Sequence, residues 1–515
     1  MSHSPEHSTN NSPSSLRHRL PVRLRHHWKL LIAAIAVCLA ITLAFGTSMV
    51  RPYITSELIS ETAIVNNIDG DAELFDATTH SIDITFDQAE YEEMLSTFRK
   101  DGEKEYIHAD ITIDGTLIED VGLRLKGNST LQSLRGNSMG GGMGPGGMTQ
   151  LSEDNPEELP WLISFDEYEE GRAYQGMTEI ALRPAASGSD AAINEALALE
   201  LTAESGQVTQ DYTFSSVTVN GSESAARIVV DTPDEQWANE LGSGVLYKAR
   251  ADGSLDYVGD DPTDYEDSFK QINAEGAYDL QPVMTLMKLL NESTEEEFAE
   301  ELDDYVDTES FAKYLATQEI LSNNDAMDGP GNNYYLWYDT TEKQFTVLSW
   351  DLNMALSGMM GSMQPNAKTG AEMPGGGMPG GEMPEPPEGM EMPDGGGPDG
   401  GEPDGGGPEG DMPGGGSGSG ILKERFLDNE EFYVMYEQAY AELYEQLIAS
   451  GYAEETLDEL ARRAEEAGDE GATKVAESIG SSLASISKTA PEPSAGMGMG
   501  RGGGGRPGQE TAEVV

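Results

Sequence analysis

The sequence predicts an α+β protein in which a sheet-rich segment is followed by a mostly helical one. Segments that alternate apolar and polar residues dominate residues 54–262, and this two-residue period is typical of strands with one buried face. After Thr263 the apolar residues recur at helical spacing instead. A group of Asp and Asn residues follows the changeover, and a long apolar run precedes both segments. We therefore expect an antiparallel sheet lobe and a helical lobe behind one N-terminal transmembrane helix.

The apolar run at residues 30–50 is about long enough, as a helix, to cross the hydrocarbon core of a bilayer. The basic segment 1–29 precedes it and an acidic chain follows, so the positive-inside rule predicts a cytoplasmic tail and an extracytoplasmic main domain at the cell membrane. A cleaved signal peptide is the competing interpretation, but Gly46-Thr47-Ser48 is a poor cleavage site. A buried core helix is disfavoured because no polar face interrupts the run.

Composition excludes several classes of function. The 515 residues include 93 acidic and 30 basic ones, for a formal net charge of −63 at pH 7. This charge would repel nucleic acid and suits cations or basic proteins better. The single cysteine, Cys38, lies in the apolar run, which excludes internal disulfides and thiol catalysis in the main domain. The central stretch, residues 310–354, contains no histidine, so neither a Ser-His-Asp hydrolase nor a histidine-ligated zinc site can be built there.

The segment 54–262 is predicted to form antiparallel strands and one helix. The strand candidates are SIDITF, HADITIDG, VGLRLKG, WLISF, EIALRP, TFSSVTVNG, ARIVVD and GVLYKA. Residues 135–150 consist mainly of Gly and Met without periodicity, which predicts a disordered insertion. The helix is expected from about Asp190 to Ser205, with Asp190 as its N-cap and Gly206 as its stop.

Helices are predicted in the segment 263–357 and again at 421–487. Between them, residues 358–420 repeat Gly, Pro, Met and acidic residues, and the tail 488–515 is rich in Gly. Both segments are too poor in branched apolar residues to pack a core, so we expect them to be disordered.

The central stretch joins a helix to a β-hairpin through polar turns. Asp328 and Asn333 lie five residues apart across the first turn, and Asp351 follows the second strand. Phosphoryl transfer needs one group that orients a hydroxyl and others that hold divalent cations against phosphate oxygens. The D-x4-N spacing with a second aspartate on a later turn matches the catalytic loop and metal-binding aspartate of kinases. The alternative interpretation makes Asp325, Asp328 and Asn332 ordinary turn formers.

The chain resembles the CotH family, the kinase-like proteins of spore coats, over about residues 80–357 and 421–450. The shared motifs are the strand end at residues 124–129, a helix around Glu195, the LYK strand end at 246–248, the stretch 328–337 and the turn 350–353. This resemblance implies an atypical, two-lobed protein-kinase fold that binds ATP and a divalent metal and phosphorylates Ser or Thr on protein.

The resemblance also implies roles for individual residues. Asp328 would be the catalytic base, Asn333 a metal ligand, and Asp351 the principal ligand of Mg²⁺ or Mn²⁺. Asn353 stands where the family often has a second acidic residue, which weakens the second metal contact without removing it.

The nucleotide phosphates need a basic partner. In many relatives the strand before the helix carries a lysine, but here residues 159–165 read LPWLISF. Lys126, Arg124 and Arg183 are the remaining candidates, and we expect an ion pair between Lys126 and Glu195 to serve both nucleotide binding and catalysis. The alternatives are a Lys126 that faces water and a Glu195 on a solvated helix face.

Together these features predict a membrane-anchored, extracytoplasmic kinase that transfers the γ-phosphoryl group of ATP to Ser or Thr of a protein substrate, with basic substrates favoured by charge. The missing strand lysine supports an alternative, a catalytically weak or inactive kinase-like surface scaffold that binds cations, cell wall or a protein partner. Phosphoryl or nucleotidyl transfer to a cell-surface polyol would use the same residues.

Overall fold

The computed structural model describes residues 63–127, 130–135, 151–183, 192–329, 331–356 and 420–491. Sheets and helices both occur in these ranges, which confirms the predicted mixed α+β class. The predicted tail 1–29 and membrane helix 30–50 lie outside the described residues, as do nearly all residues of the segments 135–150, 358–420 and 488–515. Among the helices that are described, none is long and apolar enough to cross a bilayer.

The strands in these ranges are β1 (Asn66–Ile68), β2 (His80–Phe86), β3 (Ile107–Ile113), β4 (Thr116–Leu125), β5 (Trp161–Ser164), β6 (Arg172–Tyr174), β7 (Glu179–Arg183), β8 (Tyr212–Val219), β9 (Ala225–Asp231), β10 (Gly244–Ala249), β11 (Phe269–Gln271), β12 (Tyr334–Asp339) and β13 (Phe345–Ser349). The helices are α1 (Gln88–Asp101), α2 (Ile193–Glu204), α3 (Glu235–Glu240), α4 (Gln281–Glu292), α5 (Glu295–Glu301), α6 (Thr308–Ile320), α7 (Ile421–Asp428), α8 (Glu430–Leu443), α9 (Tyr452–Glu466) and α10 (Ala472–Leu483).

Seven strands close into a barrel in the order β2-β3-β4-β5-β7-β9-β8. The predicted antiparallel sheet is therefore closed, and the pair that closes it, β2 with β8, is parallel. The alternation that predicted the strands also fills the barrel, because every second residue points inward. In β2, for example, Ile82 and Ile84 are buried while Asp83 is exposed.

The helix α1 lies between the first two strand candidates, where the sequence pattern predicted no helix, and that part of the prediction was wrong. The side chain of Asp87 accepts hydrogen bonds from the first free backbone N–H groups of the helix, as an N-cap does. Gly102 ends the helix in the left-handed conformation, with φ of +81°. The apolar residues that α1 buries at helical spacing are Tyr91, Met94, Leu95 and Phe98.

The predicted helix at 190–205 is confirmed as α2, although its first residue is Ile193. The proposed N-cap Asp190 lies outside the described residues. Gly206 follows the helix with φ of +82°, as expected of a stop. Nine residues of α2 are buried, including Glu195, so this helix crosses the interior and does not present the solvated face considered above.

A second sheet has the order β11-β10-β12-β13, with all neighbours antiparallel. The predicted hairpin is confirmed as β12 and β13. The strand β10 belongs to the segment 54–262 yet pairs with β12, so the sheet-rich and helical segments share hydrogen bonds.

The helices α7 and α8 pack on the central helix α6. The ring of Phe426 meets the ring of Phe311 edge to face, with centroids 5.0 Å apart, and stacks on Phe432 at 4.8 Å. Aromatic contacts of this kind anchor the chain that follows residue 420. They bring Lys423 of α7 next to the turn that follows α6.

Candidate functional site

The β12–β13 hairpin holds two predicted site residues at one of its ends. Tyr334 pairs with Ser349 in the antiparallel register. Asn333 directly precedes β12 and Asp351 lies just beyond β13, so both residues come to the same end of the hairpin. Asp351 has a left-handed backbone conformation with φ of 54°, which is uncommon for a residue with a side chain.

Arg183, the last residue of β7, bridges two carboxylates. Its Nη1 lies 2.8 Å from Oε1 of Glu195, and its Nη2 donates to Oδ1 of Asp351. The Glu195 side chain is only 2% exposed, whereas that of Asp351 is 31% exposed. The bridge therefore runs from the interior of the protein towards its surface, and the planar guanidinium reaches both carboxylates at once.

Burial dominates the electrostatics of this bridge. It raises the pKa of Glu195 to about 7, outweighing the attraction of Arg183. Burial acts to lower the pKa of Arg183, but the charges of Asp351 and Glu195 hold that pKa above its ordinary value. The second carboxylate oxygen of Glu195, Oε2, is buried without a hydrogen-bond partner among the described residues. An unfilled buried acceptor costs free energy, so the interior end of the bridge can still take a donor or a cation.

Asp325, a turn former in the alternative interpretation, makes side-chain hydrogen bonds next to the predicted site residues. Its Oδ2 accepts from Asn333 Nδ2 at 2.7 Å, and its Oδ1 accepts from the backbone N–H of Gly331 at 2.8 Å. Burial raises the pKa of Asp325, and the negative charge of Asp351 adds to the rise. Asp325 and Asn333 thus form one hydrogen-bonded pair, and Arg183 with Glu195 and Asp351 forms a second group, whose Asp351 acts on Asp325 through its charge. We call these five residues together the polar cluster.

Asp328, the predicted catalytic base, contacts a different partner. Its Oδ2 lies 2.6 Å from Nζ of Lys423, and both side chains are about one-third exposed. The ion pair joins the turn after α6 to the helix α7. The role of Asp328 as catalytic base stays a prediction, and Asp325, which is hydrogen-bonded to Asn333, is a second candidate for a carboxylate that acts near Asp351.

The predicted ion pair between Lys126 and Glu195 was wrong, because Glu195 pairs with Arg183. Lys126 Nζ instead donates to Thr232 Oγ1 at 3.2 Å and lies 5.5 Å from the centroid of the Trp350 ring. Burial lowers the pKa of Lys126 to about 7. The positive charge of Lys126 still acts on Glu195 and favours the ionised form of that carboxylate. The ammonium of Lys126 is buried, so it does not face open water as the alternative interpretation proposed.

The remaining predicted residues border the polar cluster. The guanidinium of Arg124 lies 5.1 Å from the centroid of the Tyr106 ring, and its charge helps to lower the pKa of Lys126. Asn353 lies in the short helical turn after Asp351, where its backbone carbonyl accepts from Asn194 Nδ2 at 2.6 Å.

Asn332 holds the turn before β12 in place. Its Nδ2 donates to the backbone carbonyl oxygens of Arg250, Ala251 and Gly253. These hydrogen bonds reach a loop about 80 residues earlier in the chain, so Asn332 does more than form a local turn. We infer that Asn332 fixes the position of its neighbour Asn333.

The donors of the polar cluster suit a hard divalent cation. Carboxylate and amide oxygens are the ligands that Mg²⁺ prefers, and it commonly takes one or two protein carboxylates and completes its shell with water and phosphate oxygens. Asp351 and the amide oxygen of Asn333 supply such ligands. No group of three or more His, Cys, Asp or Glu side chains in the described part of the chain could hold a metal ion by itself.

This arrangement offers three chemical functions. Asp325 can accept a proton, Asp351 with Asn333 can hold a cation, and Arg183 can keep Asp351 oriented. Sequence reasoning missed Asp325 because one aspartate in a polar turn looks like another. Only the bond to Asn333, eight residues later, distinguishes it.

Comparison with known proteins places the chain in a family. A search of curated proteins gave no match. The family model described as CotH kinase protein matches residues 123–481, which is more than half of the chain and includes the whole polar cluster. The protein therefore belongs to the CotH kinase family.

Proposed function

We propose that this protein is a kinase that transfers the γ-phosphoryl group of ATP to Ser or Thr residues of a protein substrate. The observation that carries this proposal is the polar cluster, where three carboxylates, an amide and an arginine from distant parts of the chain come together near one end of a hairpin. In phosphoryl transfer the protein contributes mainly positioning and electrostatic stabilisation, and the polar cluster provides both.

Asp325 is the proton acceptor in this proposal. Its raised pKa brings it closer to the range in which a carboxylate acts as an effective base. The carboxylate would take the proton of the Ser or Thr hydroxyl as that oxygen bonds to the γ-phosphorus and the bond to the ADP oxygen breaks. The hydrogen bonds from Asn333 and Gly331 fix the orientation of Asp325.

Asp351 and Asn333 would hold Mg²⁺ or Mn²⁺, which supplies positive charge against the phosphate oxygens when it is bound. The positive charge of Arg183 offsets the negative charges of Glu195 and Asp351, and its ion pair with Asp351 keeps that side chain oriented. Lys126 and Arg124 would contribute positive charge on the side of the nucleotide.

We further propose that the domain is anchored in the cell membrane by residues 30–50 and faces away from the cytoplasm. The basic flank before this apolar run supports that orientation. Fractionation of cells, followed by protease treatment of intact cells or spheroplasts, tests both points. The proposal predicts membrane association and cleavage of the domain from outside.

The activity is tested by incubating the protein with γ-labelled ATP, Mg²⁺ or Mn²⁺, and a basic, Ser-rich protein. We expect metal-dependent label transfer that the variant Asp351→Ala abolishes. A suitable control is Asp303→Ala, which removes a carboxylate from the turn before α6. Absence of transfer by the wild type, or equal transfer by Asp351→Ala, would count against the proposal.

A second candidate function is a kinase-like scaffold without catalysis. Two observations favour it: β5 contains no lysine, and Arg183 engages Asp351 directly. Thermal-shift titration separates the two candidates. A catalytic nucleotide site predicts that ATP raises the melting temperature only when a divalent metal is present, whereas a scaffold of this kind predicts no ATP-dependent shift.

A further inference from the structure

Lys248, the last residue of the LYK strand end, places its ammonium between two aromatic rings. Its Nζ lies 4.7 Å from the centroid of Trp350 and 5.5 Å from that of Tyr335. No hydrogen-bond acceptor or carboxylate contacts this ammonium among the residues that the structure describes. Aromatic faces attract a cation, but an ammonium has three N–H donors and none of them has an acceptor here.

Lys126 approaches the same indole. Its ammonium lies 5.5 Å from the Trp350 centroid and, among the residues that the structure describes, donates to the Thr232 hydroxyl alone. Two lysines, from the end of β4 and from β10, thus converge on one ring. Within the described part of the chain neither forms an ion pair, although the charge of Glu179 acts on Lys126 and that of Asp351 on Lys248. In a chain with 93 acidic and 30 basic residues, carboxylates were abundant partners, so the unpaired state of both lysines requires an explanation.

The burial of these two ammonium groups is costly. Desolvation lowers the pKa of Lys248 to about 8, and the neighbouring cations Lys270, Arg183 and Arg124 lower it further against the attraction of Asp351. A bound anion would replace the lost hydration and fill the open donors. The geometry therefore indicates an anionic ligand over the Trp350 ring.

The position of the ring indicates which anion fits. Trp350 directly precedes Asp351, the residue proposed to hold the metal, and Lys248 feels the charge of Asp351. An anion held by Lys248 would thus lie near the cation. Two ammonium groups and a divalent cation together carry up to four positive charges, which a chain of two or more phosphates balances better than a single phosphate does.

We propose that Lys248 is the phosphate-binding lysine of this site, supplied by β10 in place of the lysine absent from β5, and that with Lys126 it selects nucleoside di- and triphosphates over monophosphates. This inference rests on the proposed nucleotide-dependent function. It extends that function by naming the residue and the ligand class.

The experiment compares Lys248→Met with Lys270→Met in the full-length protein. Lys270 is the cross-strand neighbour of Lys248 on β11 and is exposed, so it is a matched control for removing a positive charge. Calorimetric titrations with ATP, ADP, AMP and inorganic tripolyphosphate, each with Mg²⁺, measure the affinities. Lys248→Gln is the second variant, and a thermal melt of each protein verifies folding.

We expect Lys248→Met and Lys248→Gln to weaken ATP, ADP and tripolyphosphate binding by about 10- to 100-fold, as expected for loss of a charge-assisted hydrogen bond. AMP binding should be weak in the wild type and little changed in the variants, and Lys270→Met should bind as the wild type does. Wild-type affinity for ATP in a folded Lys248 variant would overturn the inference.

The tripolyphosphate arm separates this inference from the proposed function. If the wild type binds tripolyphosphate but not ATP, and Lys248→Met loses that binding, the phosphate site stands and the kinase proposal falls. If the wild type binds neither ligand, both are overturned.

Discussion

The wall of the barrel and the surroundings of Trp350 both bury cationic side chains, but they treat them in opposite ways. Arg227 of the barrel strand β9 is 3% exposed, and Arg172 of β6, which donates to backbone carbonyls of the barrel strand β4, is 5% exposed. Arg227 donates to the backbone carbonyl oxygens of four residues, Glu157, Leu159, Leu182 and Arg183. Arg172 donates to three backbone carbonyls and to Glu169.

Around Trp350, by contrast, Lys126 and Lys248 have N–H donors without an acceptor among the described residues. The difference indicates two uses of buried charge. A cation whose donors are filled by backbone oxygens stabilises the fold around it, because removing it leaves buried acceptors unpaired. A cation whose donors stay open costs stability and marks a place where an anion binds.

The largest effect of a substitution on stability and activity is expected at Arg183, a buried cation whose donors are filled by the side chains of Glu195 and Asp351. The variant Arg183→Met leaves the buried Glu195 without its cation, and breaking a buried pair in this way should lower the free energy of unfolding by about 3 kcal/mol. Phosphoryl transfer should also be lost. Urea denaturation checks the first expectation and label transfer checks the second.

The control for that prediction is Arg99→Met, which removes an arginine from the ion pair with Glu153, where both side chains are nearly half exposed. Exposed pairs contribute little, so the change should stay below about 1 kcal/mol. Equal losses in the two variants would show that burial of the Arg183 bridge does not matter.

The next largest effect concerns the stability of variants in the two regions. Arg227→Met should lower the free energy of unfolding by about 2 kcal/mol, since it leaves backbone acceptors unpaired, whereas Lys248→Met should leave the stability unchanged or raise it. Denaturation of both variants under one set of conditions measures the difference. A larger loss of stability in Lys248→Met would reverse the assignment of the two regions.

A smaller effect is expected on the pH dependence of nucleotide affinity. The pKa values of Lys126 and Lys248 are lowered to about 7 and about 8, so both ammonium groups are charged below these values and lose their charge as the pH rises through them. We therefore expect the affinity for MgADP to fall by about tenfold between roughly pH 7 and pH 9. Binding in this window should take up protons.

Calorimetry in buffers of different ionisation enthalpy measures that proton uptake. Lys248→Met should show a reduced uptake, and Lys270→Met should match the wild type. A pH-independent affinity would contradict the assignment of these lysines to the phosphate site.

The smallest effect is expected at the ion pair of Asp328 with Lys423. Because both side chains are about one-third exposed, Lys423→Ala should cost less than about 1 kcal/mol of stability. Label transfer should fall by no more than a few-fold, as the pair anchors the turn but lies outside the polar cluster. A complete loss of transfer would indicate that Lys423 takes part in the reaction.

Local patterns predicted much of the fold. The barrel strands were predictable because their residues alternate between buried and exposed positions, as the apolar and polar residues alternate in the sequence. The central hairpin was predictable because β12 and β13 are short apolar runs between polar turns. The helix α1 was missed even though Asp87 and Gly102 carried its cap signals. Closure of the barrel depends on the parallel pair of β2 and β8, which no local pattern encodes.

The candidate site was predictable only in part for the same reason. Asn333 and Asp351 share one hairpin, so their proximity followed from the sequence. The bridge from Arg183 to Asp351 joins residues 168 positions apart, and the choice between Asp325 and Asp328 depends on Lys423, 95 positions from Asp328. Side-chain direction at such distances is set by packing, which spacing does not reveal.

The most direct test of the central claim compares label transfer by Asp325→Asn and Asp328→Asn at saturating MgATP. If Asp325 accepts the proton of the substrate hydroxyl, Asp325→Asn should lower the rate by about 100-fold or more, while Asp328→Asn should stay within a few-fold of the wild type. Loss of transfer in Asp328→Asn with transfer retained in Asp325→Asn would contradict the account and assign the base to the residue paired with Lys423.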